Sequence, residues 1–113
     1  MPILIWLRDV LSGVSGEEEF QMELLMYINT AIAVLVEMGV TQFNNVYVDD
    51  ETVMPDFGTD ATLESLVKVY LGLKVKTLFD PPNNATVAAA LSRNLAEAEF
   101  RLQILINQTE AQA

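Results

Sequence analysis

Five carboxylates gather in the middle of this chain: Asp49-Asp50-Glu51, then Asp56 and Asp60. Oxygen-rich clusters of this kind are what hard cations such as calcium bind. The spacing does not follow an EF-hand loop, because no glycine sits at the sixth position of such a loop. A solvated acidic loop is the simpler reading. A carboxylate pair can also hydrolyse a glycoside, but that needs a rigid cleft and a shifted pKa, and nothing in the sequence signals one. The chain has no cysteine and no histidine. Disulfides, thiolate and His-based zinc sites, Ser-His-Asp triads and Cys-His pairs are therefore excluded. Neither a P-loop nor a GxGxxG phosphate cradle is present. The residues point away from an enzyme, with no cofactor and no metal expected.

The cations are few. Lys68, Lys74 and Lys76 make up half of the six basic residues and lie around Tyr70. Three lysines on a solvated helix face are the bland reading of this basic-aromatic grouping. The sharper reading pairs them with the acidic 49–60 segment of a neighbouring subunit. Such a contact is heterologous, head to tail, and closes into a ring. Sixteen acidic residues give a net charge of −10, and no Lys/Arg cluster is available to displace counterions from nucleic acid. Sequence-reading DNA binding and attachment to an anionic membrane are both disfavoured. A negative wall does suit a channel through which DNA slides without being gripped.

The 113 residues are enough for one domain, 1–113. Hydrophobic residues make up 51% and charged residues 19%, a balance that implies either a well-filled helical core or an extra apolar face for a partner. The absence of cysteine fits a reducing cytoplasm. No basic region precedes the apolar 3–7 stretch, so it does not read as a targeting segment. The apolar run 24–36 spans 13 residues, short of the roughly 20 that cross a bilayer, and reads as a helix buried in protein.

Hydrophobic spacing predicts an all-α fold of about four helices in an antiparallel bundle. The first covers residues 2–11, with Pro2 in the first turn, Ile3, Trp6, Leu7, Val10 and Leu11 on one face, and Ser12-Gly13 as its stop. The second covers 16–38, opened by a Ser15–Glu18 capping box and the acidic run Glu17–Glu19, and closed by Gly39. Its heptad-like seam is Phe20, Leu24, Tyr27, Ala31, Val34 and Met38. Apolar residues on its other sides predict burial nearly all round, most easily against a neighbouring subunit. A long, partly extended loop follows at 40–60, in which 45–48 and 52–54 can pair as a short β-hairpin. The third helix covers 61–79, capped by Asp60 or Thr62, with Leu63, Leu66, Val67, Tyr70, Leu71, Val75 and Leu78 as its apolar face. Gly72 either permits a close crossing or is tolerated at a cost of about 1 kcal/mol. Asp80 before Pro81 leaves helical geometry. The fourth covers 85–107, capped by Asn83 or Asn84, with Ala88, Leu91, Leu95, Ala98, Leu102 and Leu105 along one seam and a polar, frayed tail at 108–113. Trp6, Met22, Met26 and Met38 serve either as core filler or as adaptable anchors for a partner.

One stretch is more specific than these patterns. Val69-Tyr70-Leu71 and the break Leu78-Phe79-Asp80-Pro81-Pro82 are followed by Leu91-Ser92-Arg93 and Glu97-Ala98-Glu99-Phe100-Arg101. In order and wording this resembles the head–tail connector (adaptor, head completion) proteins of tailed bacteriophages. The resemblance covers about 17–107 and is closest over 66–105. It implies a structural protein of the virion, made in the host cytoplasm. Such a protein forms a ring, typically of twelve subunits, beneath the portal. There it joins the DNA-filled head to a stopper or tail-completion protein and prolongs the DNA channel. It carries over no catalytic residue. Within this frame the subunit and portal contacts are expected from Tyr47, Asp49, Asp50, Glu51, Phe57, Lys68, Lys74, Lys76 and Phe79. The alternative of another class is a small helical homodimer with a regulatory role, using the apolar second helix in a two-fold interface.

Overall fold

The computed structural model describes residues 2–11, 18–79 and 81–112. Four helices follow in chain order: α1 (Ile3–Val10), α2 (Glu18–Met38), α3 (Ala61–Phe79) and α4 (Ala85–Gln112), with a short 3-10 turn at Thr41–Phe43. The expected all-α bundle forms. Helix α3 packs on both α2 and α4, while α1 and the 3-10 turn lie against α2. Residues 61–66 of α3 share a groove with 101–108 of α4, and 66–73 share one with 94–101, so these helices run antiparallel. The 28 residues of α4 span about 42 Å at the usual rise per residue, close to the longest dimension of a body measuring 44 × 35 × 20 Å. The Ser12-Gly13 stop, the Ser15–Glu18 capping box, Glu17, the start at Gly16 and Asp80 lie outside the described residues, as do the side chains of Val10 and Phe20.

Local chemistry sets the helix ends. Gly39 takes a left-handed φ of 111°. Its N–H donates to the Val36 carbonyl at 3.0 Å and the Val40 N–H donates to the Leu35 carbonyl at 3.0 Å, the paired bonds of a Schellman cap. The Asp60 carboxylate accepts the Leu63 N–H at 3.1 Å, which makes Asp60, not Thr62, the cap of α3. The Asn84 side chain accepts the N–H groups of Thr86 and Val87 at 2.8 and 3.2 Å, so Asn84, not Asn83, caps α4. Helix α4 continues beyond Asn107 to Gln112, because no glycine or proline interrupts its polar end.

Each helix gives one stripe to a common core: Ile3, Leu4 and Leu7; Leu24, Ile28, Ala31, Ile32 and Leu35; Leu63, Val67, Tyr70, Leu71 and Val75; Ala98, Leu102 and Ile106. In α2 the stripe is rotated from the expected seam. Of that seam only Leu24 and Ala31 are fully buried, while Tyr27, Val34 and Met38 are half-buried. Nor is the helix buried all round, since Met22 is 71% and Met26 66% exposed. A helix apolar on every side carries no phase of its own, and its partners choose the face. Over Gln21–Met38 it is long and apolar enough to cross a membrane by length and composition, a longer stretch than the 24–36 run suggests. Its inner face nevertheless packs against α1 and α3.

The 40–60 connection departs most from expectation. The hairpin between 45–48 and 52–54 does not form. Val53 instead makes a single antiparallel bridge with Pro2. The Ile3 N–H, one of the orphan donors at the start of α1, donates to the Thr52 carbonyl at 2.9 Å. Nor is the connection a solvated excursion. Val40, Phe43, Val48 and Phe57 are core residues, and the Phe43 and Phe57 rings meet edge to face at 6.1 Å. Asn29 of α2 holds it in register. The Asn29 amide donates to the Val48 carbonyl at 3.0 Å and accepts the Val48 N–H at 2.8 Å. A side chain thereby satisfies both backbone polar groups of a buried residue, as a neighbouring strand would.

Two predictions follow from this core. Asn29→Ala leaves both Val48 groups unpaired and is expected to cost roughly 2–3 kcal/mol, read as a lower urea midpoint. Tyr70 is fully buried, and its hydroxyl has no hydrogen-bond partner among the described residues. Burial, with the charge of Glu99 adding to it, pushes its pKa from 10.0 up to about 12. Between those values the unfolded chain has lost the phenolic proton and the folded chain has kept it, so stability falls as pH rises through that window. Tyr70→Phe is expected to raise stability by about 1 kcal/mol and to flatten the alkaline loss in unfolding curves taken at pH 9 to 12.

Candidate interaction surface

The acidic cluster resolves into local turns. One Asp49 oxygen accepts the Glu51 N–H, the Thr52 N–H and the Thr52 hydroxyl at 2.9, 3.0 and 2.8 Å. The Thr52 hydroxyl oxygen in turn accepts the Asp49 N–H at 3.0 Å. The hydrogen bond from Thr52, with the backbone bond from Glu51 after it, holds the Asp49 carboxyl below its ordinary value. The Asp56 carboxylate accepts the Gly58 N–H at 2.7 Å, and Gly58 takes a left-handed φ of 62° that glycine tolerates. With Asp60 capping α3, three of the five carboxylates each commit an oxygen to their own backbone. Among the described residues no three acidic side chains converge on a metal position. Asp50 and Glu51 stay exposed at the turn.

The other expected contact residues fall into two groups. Tyr47 is 80% exposed, because strand-like alternation turns it outward where Val48 turns in. Lys76 is exposed, and Lys68 and Lys74 are half-buried on α3. Lys68 reaches Glu64 at 3.4 Å, a helix-surface pair of small energetic weight. The two phenylalanines stand elsewhere. Phe57, only 6% exposed, packs on Phe43 and is buried within its own chain. Phe79, half-buried, meets Tyr27 edge to face at 6.4 Å, and the Tyr27 hydroxyl donates to Glu23 at 2.8 Å. That cluster fixes the end of α3 on α2 just before the double proline.

Met22 and Met26, weighed above as core filler or partner anchors, are exposed, whereas residue types alone do not single out the apolar surface along α3 and α4. A groove along the α3–α4 seam has a larger part of about 530 Å³ near Leu66, Ile104 and Leu105. A smaller part of about 380 Å³ lies near Val69, Leu73 and Ala98. Leu66 and Arg101 border both parts. The Arg101 guanidinium, held by Glu97 at 2.6 Å, sits where they meet. Val69 and Ile104, which line the groove, are exposed, as is Phe100 elsewhere on α4. On the opposite side of the sequence, Met22 and Met26 stand one turn apart on the outer face of α2. The signal for these was helical phase: each lies off its helix's buried stripe. Charge is also unevenly shared. Residues 1–60 hold 11 acidic side chains and one basic, whereas 61–113 hold five of each. The α1–α2–connection half therefore carries the whole net charge of −10, and the α3–α4 hairpin is neutral.

Among the described residues no group of three or more acidic side chains gathers on this surface to hold a metal ion. The surface offers apolar patches, two exposed aromatics, Tyr47 and Phe100, and an acidic turn, all suited to contacts between proteins. No curated protein and no solved structure matches the chain. A family model does match, that of the phage connector protein, over residues 3–109. The match takes in all four helices, the buried connection and the break after Phe79. This chain therefore belongs to the phage connector protein family, structural proteins of the bacteriophage head–tail junction.

Proposed function

We propose that the chain is the subunit of a ring, of twelve copies in the virion, that sits beneath the portal. There it joins the DNA-filled head to a stopper or tail-completion protein and extends the DNA channel. The family match over residues 3–109 carries this reading. The surface supports it. A ring builder needs two different complementary faces, and this chain has an acidic half and a neutral hairpin with its own apolar groove. Its role is structural and non-enzymatic. DNA passes without sequence-specific binding, since most of the surface charge is negative and would repel phosphates. The chain is made in the host cytoplasm and ends in the virion.

The contact residues in this reading are Tyr47, Asp49, Asp50 and Glu51 on one copy, and Lys68, Lys74 and Lys76 on the next. Phe79 lies near the break that faces the portal. Light scattering of the purified protein from micromolar to near-millimolar concentration tests the ring. The expected species has the mass of about a dozen subunits, alone or once portal is added. A dimer that neither grows nor dissociates would shift the reading to a two-fold helical dimer. Reversing Lys74 and Lys76 to glutamate is expected to abolish the ring while the circular dichroism stays helical. An intact ring in that variant would refute the pairing with the acidic turn.

A further inference from the structure

A slot of about 230 Å³ opens between α1, the end of the 40–60 connection and α3, walled by Ile3, Trp6, Met54 and Lys68. Three of its walls are apolar and the fourth brings an ammonium. The Lys68 Nζ lies 3.4 Å from Glu64 and its side chain is 44% exposed, so an ammonium with three donors has capacity beyond that one partner. The slot is the size of one large side chain and asks for an apolar body with a polar tip and negative charge beside it.

The same chain presents such a group. Tyr47 is more exposed than any other large hydrophobic side chain described, so it fills no slot in its own chain. Its backbone is already fixed. The Val46 N–H donates to the Phe43 carbonyl at 3.1 Å, Asn45 holds a left-handed φ of 63°, and Val48 is bound on both sides by Asn29. A rigid aromatic anchor loses little freedom on binding, and tyrosine is among the residues that dominate interfaces. Asp50 and Glu51 follow it on the exposed turn.

We propose that Tyr47 of one copy enters the slot of a second copy, with Asp50 and Glu51 meeting the Lys68 ammonium. The proposal rests on the ring reading and supplies its knob and its hole. Knob and hole are separate surfaces of one chain, so each copy that accepts a Tyr47 still offers its own, and the contact propagates head to tail.

Trp6 is the single tryptophan of the chain and lines the slot, so its emission reports the contact directly. A dilution series of the full chain is followed by light scattering and by Trp6 fluorescence together. The expected result is a blue shift that tracks the rise in mass. Tyr47→Ala, at an exposed position, should raise the assembly midpoint roughly tenfold or more and remove the shift. Lys68→Glu should do likewise, with Asp50→Lys and Glu51→Lys in the same chain restoring assembly. A ring whose formation leaves Trp6 emission unchanged and tolerates Tyr47→Ala overturns the proposal and leaves the ring reading intact. A dimer that shows the shift and loses it with Tyr47→Ala keeps the contact and overturns the ring. If the chain stays monomeric, a synthetic peptide of residues 44–52 is added to it. A blue shift that the peptide with Tyr47→Ala fails to produce supports the contact, and no shift overturns it.

Discussion

The amide of Asn29 joins helix α2 to the 40–60 connection. It lies in the middle of an apolar helix, where a polar side chain is costly unless its hydrogen bonds are made. They are made: to the Leu25 carbonyl within α2 at 2.9 Å and to both backbone groups of Val48. The bond across to Val48 pins the 40–60 connection to α2. Val40, Phe43, Val48 and Phe57 can then reach the core, and Tyr47 must point away from it. The second tie, from the Ile3 N–H to Thr52, brings α1 to the far end of the same connection. Without these ties the connection would be a long loop closed at its ends only, with little to offset its backbone entropy.

With the connection held, the helices divide their surfaces. α3 is central, packing on α2 and α4, and gives up most of its apolar side chains to the core. α4 buries Ala98, Leu102 and Ile106 but leaves Phe100 and Ile104 exposed, because it has α3 on one flank and only slight contact with α2. The outer faces that result are apolar on α2, apolar and grooved along α3–α4, and acidic at the turn. A connector of the head–tail junction works by contact with other proteins. A monomer that keeps part of its apolar surface outside its own core is suited to that work. Confining the net charge of −10 to residues 1–60 keeps the two kinds of face chemically distinct, which favours a head-to-tail contact over a two-fold one.

Much of this was legible from residue order. The caps at Gly39, Asp60 and Asn84 follow from short-range chemistry, since each bond spans only a few residues. The break at Pro81-Pro82 follows from the missing proline N–H. The inner face of α3 was readable because polar residues at 64, 68, 74 and 76 mark its outside. The seam of α2 was not, because apolar residues at Met22, Leu25, Met26 and Val36 erase the contrast that sets a phase. The burial of Phe57 is not legible either, since an aromatic among aspartates gains its inward face only once Phe43 is placed beside it.

The sequence by itself determined the four helices, their order, most of their ends, the absence of His and Cys chemistry and the wording that marks the connector family. Those properties reside in neighbouring residues or in simple composition. Tertiary structure alone decided which face of α2 turns inward, that Val53 pairs with Pro2 rather than within a hairpin, and that Asn29 serves Val48. It also decided that Ile3, Trp6, Met54 and Lys68 wall a single slot. Each of these joins residues far apart in the chain, and the energy of such contacts depends on where the backbone has already been brought, which no local pattern encodes.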